Sequence, residues 1–199
     1  MHTTLNRFDL FPTRVWVFQL DELAAISSEW IETISQWSRS EQTHGSSNRG
    51  GWTSSRSLLE HSGFAELERA ARNCFDLAWS EIAPVPKPDY HLRGWANLQQ
   101  PGGFNHFHMH PRSALAGVFY LRAPEGSGDL LFRDPRPGVN LTGIKGDGPN
   151  CYSVTSHSPA AGEFVVFPGW LEHAVEVNSA ASERISIAIN CYADGSPIA

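Results

Sequence analysis

The second half of the chain consists of short strand-like segments separated by turn residues. Eight such segments lie between residues 90 and 191, with Pro- and Gly-rich breakers among them. Their sequences are YHLRGWANL, FNHFH, ALAGVFYL, GDLLF, CYSVT, EFVVF, HAVEV and RISIAINC. Eight strands at this spacing predict a mainly β jelly roll or cupin-like barrel, whose interior can hold a small ligand or a metal.

The N-terminal part has helical periodicity instead. Apolar residues recur at helical spacing between residues 23 and 37, with Asp21 placed as the N-cap, and again between residues 64 and 82 before a proline-rich run. Between the two helices, residues 44–57 are rich in Gly and Ser and are predicted to be a loop, either a plain connection or a lid. We expect both helices to pack on one sheet of the barrel.

Length and composition bound the class of protein. At 199 residues we expect one domain, with a helical part over residues 1–89 and the jelly-roll core over residues 90–192. The net charge of −6 argues against a nucleic-acid partner. The three cysteines form no C-x-x-C motif, and the sequence contains no signal peptide or membrane span, so we expect a cytoplasmic protein without a membrane partner. The oligomeric state stays open, a homodimer included.

Histidines cluster at one point in the predicted barrel. His106, His108 and His110 alternate along the chain, and residues two apart in a strand point to the same face about 6.5 Å apart. Two imidazoles at that spacing can converge on one divalent ion. A further ligand is expected from a distant strand, and His173, which opens HAVEV, is placed to supply it. Three ligands on one strand cannot all reach one ion without distortion, so His106 is assigned a supporting or cleft-lining role.

The last strand, RISIAINC, alternates strictly between apolar and polar or small residues. Three isoleucines share one face, while Arg184 and Ser186 share the other with Ala188 and Asn190. If the isoleucines pack on other elements of the fold, Arg184 faces a cavity. A buried guanidinium needs an anion, either an internal Asp or Glu or the carboxylate of a ligand. A salt bridge on a solvated face is the alternative interpretation.

Together these motifs resemble the 2-oxoglutarate/Fe(II)-dependent oxygenases, whose usual pattern is H-x-D/E, a distal histidine and R-x-S. The likeness is to a bacterial and phage group of such oxygenases and spans about residues 52–190. Its motifs are Trp95-Ala96-Asn97, His108-Met109-His110-Pro111-Arg112-Ser113, Gly117-Val118-Phe119-Tyr120-Leu121, Phe132-Arg133-Asp134-Pro135-Arg136, Phe167-Pro168-Gly169-Trp170-Leu171-Glu172-His173 and Glu183-Arg184-Ile185-Ser186-Ile187. The chain is similar, more distantly, to the aspartyl/asparaginyl β-hydroxylases.

The resemblance implies a double-stranded β-helix oxygenase. By position, His108 and His173 bind Fe(II), and Arg184 with Ser186 holds the distal carboxylate of the co-substrate 2-oxoglutarate. The implied reaction consumes O2, releases succinate and CO2, and hydroxylates a small molecule or a peptide side chain. Tyr120 is either a hydrogen-bond donor to the co-substrate or a core aromatic residue.

Other motif residues have two interpretations each. Asn97 is either an inward-facing polar residue that contacts the co-substrate or a hydrogen bonder at a turn. Arg136 is either a contact for an acidic substrate or one half of a surface ion pair. Trp170 is either a wall of the cavity mouth or a packing residue at a corner.

His110 departs from the family pattern, because the general family has Asp or Glu at that position. Three arrangements are open. All three histidines bind the iron, or water replaces His110, or Asp129 or Asp134 reaches in; we favour the first because His110 has the right offset.

Two other function classes fit the same motifs. One is a three-histidine cupin dioxygenase that uses no 2-oxoglutarate, in which Arg184 binds the carboxylate of the substrate itself. The other is a non-catalytic cupin-like binding protein.

Overall fold

The computed structural model describes residues 10–44, 47–55, 58–82, 86–138 and 153–194. Two helices, α1 (Ala24–Ser40) and α2 (Ala65–Ile82), accompany the sheet, and 3-10 turns precede each of them. The strands are β1 (Trp16–Gln19), β2 (Asn48–Thr53), β3 (Tyr90–His108), β4 (Leu115–Arg122), β5 (Leu130–Arg133), β6 (Val154–His157), β7 (Glu163–Pro168), β8 (His173–Val175) and β9 (Arg184–Ala193).

The strands form one curled antiparallel sheet. Its order is β1-β7-β4-β9-β3-β8-β5-β6, and β2 pairs with β3 beside this path. The long strand β3 pairs with β9 over residues 90–99 and with β8 at residues 105–108, so it joins the two halves of the curled sheet. The predicted mainly β jelly-roll architecture with two helices is confirmed.

The curled sheet has an outer face covered by the helices and a concave face that surrounds a cavity. Ile185, Ile187 and Ile189 of β9 are fully buried on the outer face, in one core with residues of both helices. Trp30 of α1 lies in the same core, stacked on Phe64 with ring centroids 5.6 Å apart. Each large apolar side chain buried in this way contributes about 1.5–3 kcal/mol to folding. The core therefore fixes the sheet that carries the concave face.

The helices begin and pack somewhat differently from the expectation. Asp21 is not the N-cap, because a 3-10 turn over Asp21–Leu23 precedes α1 and Leu23 takes the cap position without a side-chain bond. The carboxylate of Asp21 instead accepts a hydrogen bond from Gln19 at 2.9 Å. At the end of α2, Ile82 is 46% exposed, whereas Phe75 is fully buried. The apolar stripe predicted between residues 64 and 82 is therefore buried except at its last residue, and Phe75 adds to the buried face.

Two predicted loops contain strand. Part of the Gly- and Ser-rich segment forms β2, which pairs with β3 on both sides of a bulge. The break predicted between YHLRGWANL and FNHFH lies inside β3, where Gly102 has φ +85° and a bulge bends the strand without ending it. Backbone bonds between residues 102–103 and Asn178, at 2.7 and 2.8 Å, replace the missing ladder bonds. Residues 45–46, 56–57, 83–85 and 139–152 lie outside the described residues, so parts of the predicted loops and the CYSVT segment cannot be compared.

Candidate functional site

Three histidines meet at the concave face. His108, the last residue of β3, is paired in register with His173, the first residue of β8. His110 follows two residues beyond β3, and the ring centroids lie 4.3 Å (His108 and His173), 5.2 Å (His108 and His110) and 5.0 Å (His110 and His173) apart. One ring nitrogen of each lies within 4.8 Å of the others, and within the described ranges no other such group of three His, Cys, Asp or Glu side chains occurs.

Backbone carbonyls orient two of these rings. Nδ1 of His108 lies 2.7 Å from the carbonyl oxygen of His106, and Nδ1 of His173 lies 2.8 Å from that of Leu171. Because a carbonyl only accepts, each Nδ1 carries the proton and Nε2 keeps its lone pair. Burial lowers the pKa of both rings, that of His173 well below its usual value with help from its two histidine neighbours. Neutral imidazoles are the form that binds a metal, and such a donor set suits Fe(II).

The nearby carboxylates do not join the histidines. Asp134 accepts bonds from Nε and Nη2 of Arg136 at 3.0 and 2.7 Å, and these bonds lower the pKa of Asp134. Asp129 accepts a bond from the Ser158 hydroxyl at 2.7 Å. Neither side chain lines the cavity around the histidines. This geometry favours the arrangement in which all three histidines bind the metal.

Arg184 is buried on the concave face with neutral partners. It is 1% exposed, and its guanidinium donates to Oε1 of Gln99 and to the carbonyl oxygens of Ser127 and Gly128. Burial lowers its pKa to about 10, so the group stays charged at neutral pH. No carboxylate of the described residues forms an ion pair with it. A buried cation without an anion is costly, which makes this guanidinium a candidate to bind an anionic ligand.

Gly128 allows the backbone to approach Arg184. Its φ of +93° suits glycine, and a Cβ there would lie 2.5 Å from the carbonyl oxygen of Glu176 and 3.1 Å from Nη1 of Arg184. The G-S-G sequence at residues 126–128 therefore allows the carbonyls of Ser127 and Gly128 to accept hydrogen bonds from Arg184.

Three further predicted residues line the same cavity. Asn97 of β3 and Tyr120 of β4 are each paired in register with Ser186 of β9, so the three side chains share the concave face. The buried Tyr120 hydroxyl has no hydrogen-bond partner within the described part of the chain, and burial raises its pKa. It is therefore a protonated, unused donor. Asn97 already accepts a bond from the Thr53 hydroxyl at 3.0 Å.

The cavity has a volume of about 400 Å³ and includes residues that sequence reasoning missed. The ring centroids of Trp95 and His110 lie 5.6 Å apart, and Gln99 accepts a hydrogen bond from Arg184. Both lie on the same face of β3 as Asn97, so the alternation along YHLRGWANLQ could have revealed them. His44 and Thr53 also line the cavity, and Thr53 is paired in register with Asn97. Their segment has no periodic pattern that would have indicated this.

The three residues predicted to contact substrate do not line the cavity. Arg136 is held by Asp134, two residues before it. Trp170 is 52% exposed in a turn after β7. The exposed ring of His106 packs on Phe104 at 4.9 Å, and only the carbonyl of His106 supports the cluster, through His108. Their substrate roles stay predictions.

The sequence comparison decides the class. A family profile described as "Putative 2OG-Fe(II) oxygenase" matches residues 93–190, which contain the histidine cluster and Arg184. The chain belongs to the 2OG-Fe(II) oxygenases. The predicted enzyme class, with iron and 2-oxoglutarate as its cofactors, is thereby confirmed. The match does not favour the two other function classes, the cupin dioxygenase without 2-oxoglutarate and the non-catalytic binding protein. No curated protein matches this sequence.

Solved structures share the fold of this oxygenase. A Pseudomonas putida prolyl-4-hydroxylase has a TM-score of 0.65 at 18% identity, over 94% of this chain and 96% of that chain. HygX from Streptomyces hygroscopicus, solved with nickel and 2-oxoglutarate, has 0.64 at 10% identity, over 92% and 84%. A Trichoplax adhaerens prolyl hydroxylase, solved with a peptide fragment of hypoxia inducible factor, has 0.63 at 11% identity, over 90% and 84%. At such low identities the likeness shows the fold alone.

Proposed function

We propose that this oxygenase is a hydroxylase that binds Fe(II) through His108, His110 and His173. The observation that carries the proposal is the lining of one cavity, where three clustered imidazoles and an arginine without an ion-pair partner in the described residues lie together. The imidazoles fit the metal, and the arginine fits the distal carboxylate of the dicarboxylate co-substrate.

The residues around Arg184 provide the rest of a co-substrate site. Arg184 supplies the charge, and the free Tyr120 hydroxyl and Ser186 supply hydrogen bonds to the same carboxylate. Asn97 lies next to them in register and is held by Thr53. Val118, Leu130 and Val175 line the cavity beside these polar groups, so a bound dicarboxylate is largely shielded from water.

The protein contributes position and protonation to the reaction. Iron with 2-oxoglutarate and O2 supplies oxidative decarboxylation of the co-substrate coupled to oxidation of a substrate C–H bond. The carbonyls of His106 and Leu171 keep the proton on Nδ1 of His108 and His173, so both Nε2 atoms remain available as ligands. The high pKa of Tyr120 keeps its hydroxyl a donor beside the carboxylate. Three neutral ligands leave the metal with its full charge, which strengthens its attraction for an anionic co-substrate.

The substrate, on this proposal, is a small molecule or a peptide side chain. Two of the structures that share the fold are prolyl hydroxylases, and one of them was solved with a peptide. The chain would act as one oxygenase domain, in which residues 1–89 support the core at residues 90–192. It would act in the cytoplasm, without a nucleic-acid or membrane partner. A homodimer is compatible with this proposal. In support, Cys74 and Cys191 are buried and free. No helix of the described residues is long and apolar enough to cross a membrane.

Anaerobic titration tests the proposal. Fe(II) followed by 2-oxoglutarate should produce the visible charge-transfer absorption of a chelated iron, and admission of O2 should then yield succinate. Iron binding without this absorption would indicate a dioxygenase that uses no 2-oxoglutarate. A protein that binds no iron at all would be a binding protein of another kind, and both results contradict the proposal.

A further inference from the structure

The basic side chains divide into two groups. Seven of those in the described residues have a carboxylate oxygen within 3.7 Å. Arg93 and Arg112 have no such ion pair with any described residue, and both are exposed. Such an ion pair is also lacking for Arg39 on α1, which is far along the chain from the site, and for the buried Arg184. In a chain with 21 acidic residues and a net charge of −6, two arginines without ion pairs near one site are notable, so their positions matter.

Arg93 continues the concave face beyond the cavity. It is paired in register with Asn190 and lies two residues before Trp95, which lines the cavity. Residues two apart in a strand share a face and lie about 6.5 Å apart, so Arg93 borders the cavity at the Trp95 end. Its guanidinium carbon lies 5.9 Å from the centre of the Tyr192 ring, which supports the side chain from one side.

Arg112 lies in the turn after the histidines, and the backbone of this turn is bonded near the same end of the sheet. Residues 110–113 form a four-residue turn, closed by a hydrogen bond of 3.1 Å from the Ser113 amide to the His110 carbonyl. Arg112 is the third residue of this turn. Arg112 has φ +70°, a conformation that type II turns normally give to Gly or Asn. A bond of 2.9 Å from the amide of Ala114 to the carbonyl of Cys191 fixes the turn beside the end of β9, next to Tyr192. A side chain kept at a strained position beside a proposed metal ligand points to a use for it.

This end of the cavity has little negative charge of its own. None of the described residues that line the cavity is acidic. The carboxylate of Asp194 lies at the end of β9, but it accepts from Nδ1 of His91 at 2.8 Å, and His91 stacks on Tyr192. An external anion at this end therefore meets no carboxylate already bonded to Arg93 or Arg112 within the described residues.

We propose that Arg93 and Arg112 bind an anionic group of the substrate, a carboxylate or a phosphate, at the Trp95 end of the cavity. This inference rests on the proposed function, because it gives a substrate class to the same site. The anion anchors the substrate outside the cavity, and the carbon to be oxidised lies inside the cavity, beside Trp95. Two arginines recognise such a planar or tetrahedral anion through several N–H donors at once.

Calorimetric titration of the protein loaded anaerobically with Fe(II) and excess 2-oxoglutarate tests this. Excess co-substrate occupies Arg184, so the probes report other sites. The probes are N-acetylglutamate amide, N-acetylphosphoserine amide and, as the neutral match, N-acetylglutamine amide. We expect an anionic probe to bind about tenfold more tightly than the neutral one, and Arg93→Gln/Arg112→Gln to remove that preference. The carboxylate and phosphate probes distinguish the two anions. Arg39→Gln, which changes an exposed arginine of α1 without an ion pair, is the matched control and should keep the preference.

Several results would overturn the inference. These are equal affinity for all probes, no binding of any probe, an unchanged preference in the double variant, or a loss in that variant confined to 2-oxoglutarate affinity. Failure of the proposed function is separate, because it appears first as a wild-type protein that takes up no iron or co-substrate. In that case the same titration on the metal-free protein should still show the arginine-dependent preference.

Discussion

The two faces of β9 come from one alternating sequence and have opposite energetic roles. Ile185, Ile187 and Ile189 are fully buried against the helix layer, where burial stabilises the fold. Arg184 and Ser186 are almost as deeply buried on the concave face, where burial of an arginine without an ion pair is unfavourable. The comparison teaches that stability and ligand binding are separated by face on a single strand. Substitutions on one face should change unfolding, and those on the other should change affinity.

The largest expected effect is on the concave side, at the buried His173. His173→Ala removes one of three ligands and the ring nearest to His108, so we expect stoichiometric Fe(II) binding to be lost. Metal analysis after anaerobic gel filtration measures this, and circular dichroism checks the fold. His61→Ala, an exposed histidine on the helix side, is the control. Full iron occupancy in the His173 variant would remove it from the ligand set.

The outer face should show the reverse pattern. Ile187→Ala leaves a cavity between the sheet and the helices and should lower the free energy of unfolding by about 2–5 kcal/mol. Denaturant titration measures the loss. Iron and 2-oxoglutarate affinities of the folded protein should stay within about twofold, since the side chain faces away from the cavity. A tenfold loss of co-substrate affinity would show that the faces are coupled.

Arg184→Gln should next separate affinity from stability. Losing one charged hydrogen-bonding partner typically costs about 1.5–3 kcal/mol, so 2-oxoglutarate should bind roughly 10–150-fold more weakly while iron is retained. In the absence of co-substrate, the variant should lose little stability because an unfavourable buried charge has gone. Thermal unfolding with and without 2-oxoglutarate measures both, and only the wild type should gain a large increase in Tm. Equal gains in both proteins would make the arginine structural.

The same comparison explains what the sequence could reveal. Strict alternation in RISIAINC predicted both faces of β9, because side-chain direction in a strand is a local property. The H-x-H motif with His173 predicted the cluster, although His110 lies beyond the end of β3. The contact between Gln99 and Arg184 joins residues 85 positions apart. Strand β2 forms by pairing with β3, which lies more than 35 residues further along the chain. Such long-range pairing leaves no periodic signal in a Gly- and Ser-rich segment. The bond between Arg136 and Asp134 is local, and the ion-pair alternative already described it.

A substitution at Gln99 tests whether the Arg184 guanidinium is kept without an internal carboxylate so that it can bind an external anion. Gln99→Glu places a carboxylate at the acceptor position of the guanidinium, so an internal anion competes with the co-substrate. We expect about tenfold weaker 2-oxoglutarate binding. Gln100→Glu, at the exposed neighbouring position, adds the same charge and should have little effect. Titration of both variants under identical salt is decisive, and unchanged affinity in Gln99→Glu would mean that Arg184 does not bind the carboxylate.

The smallest effect is expected at Trp170, which lies in a turn and on neither face of β9. The side chain is 52% exposed and does not line the cavity, although a wall at the cavity mouth is one of the two interpretations of its motif. Trp170→Ala should change the free energy of unfolding by about 1 kcal/mol or less and leave iron and co-substrate affinities within about twofold. Since an exposed aromatic residue near a site can still contact a substrate outside the cavity, substrate-dependent succinate formation is the measurement that decides. A selective loss of that stimulation, with both affinities kept, would extend the functional surface beyond the concave face to the turn after β7.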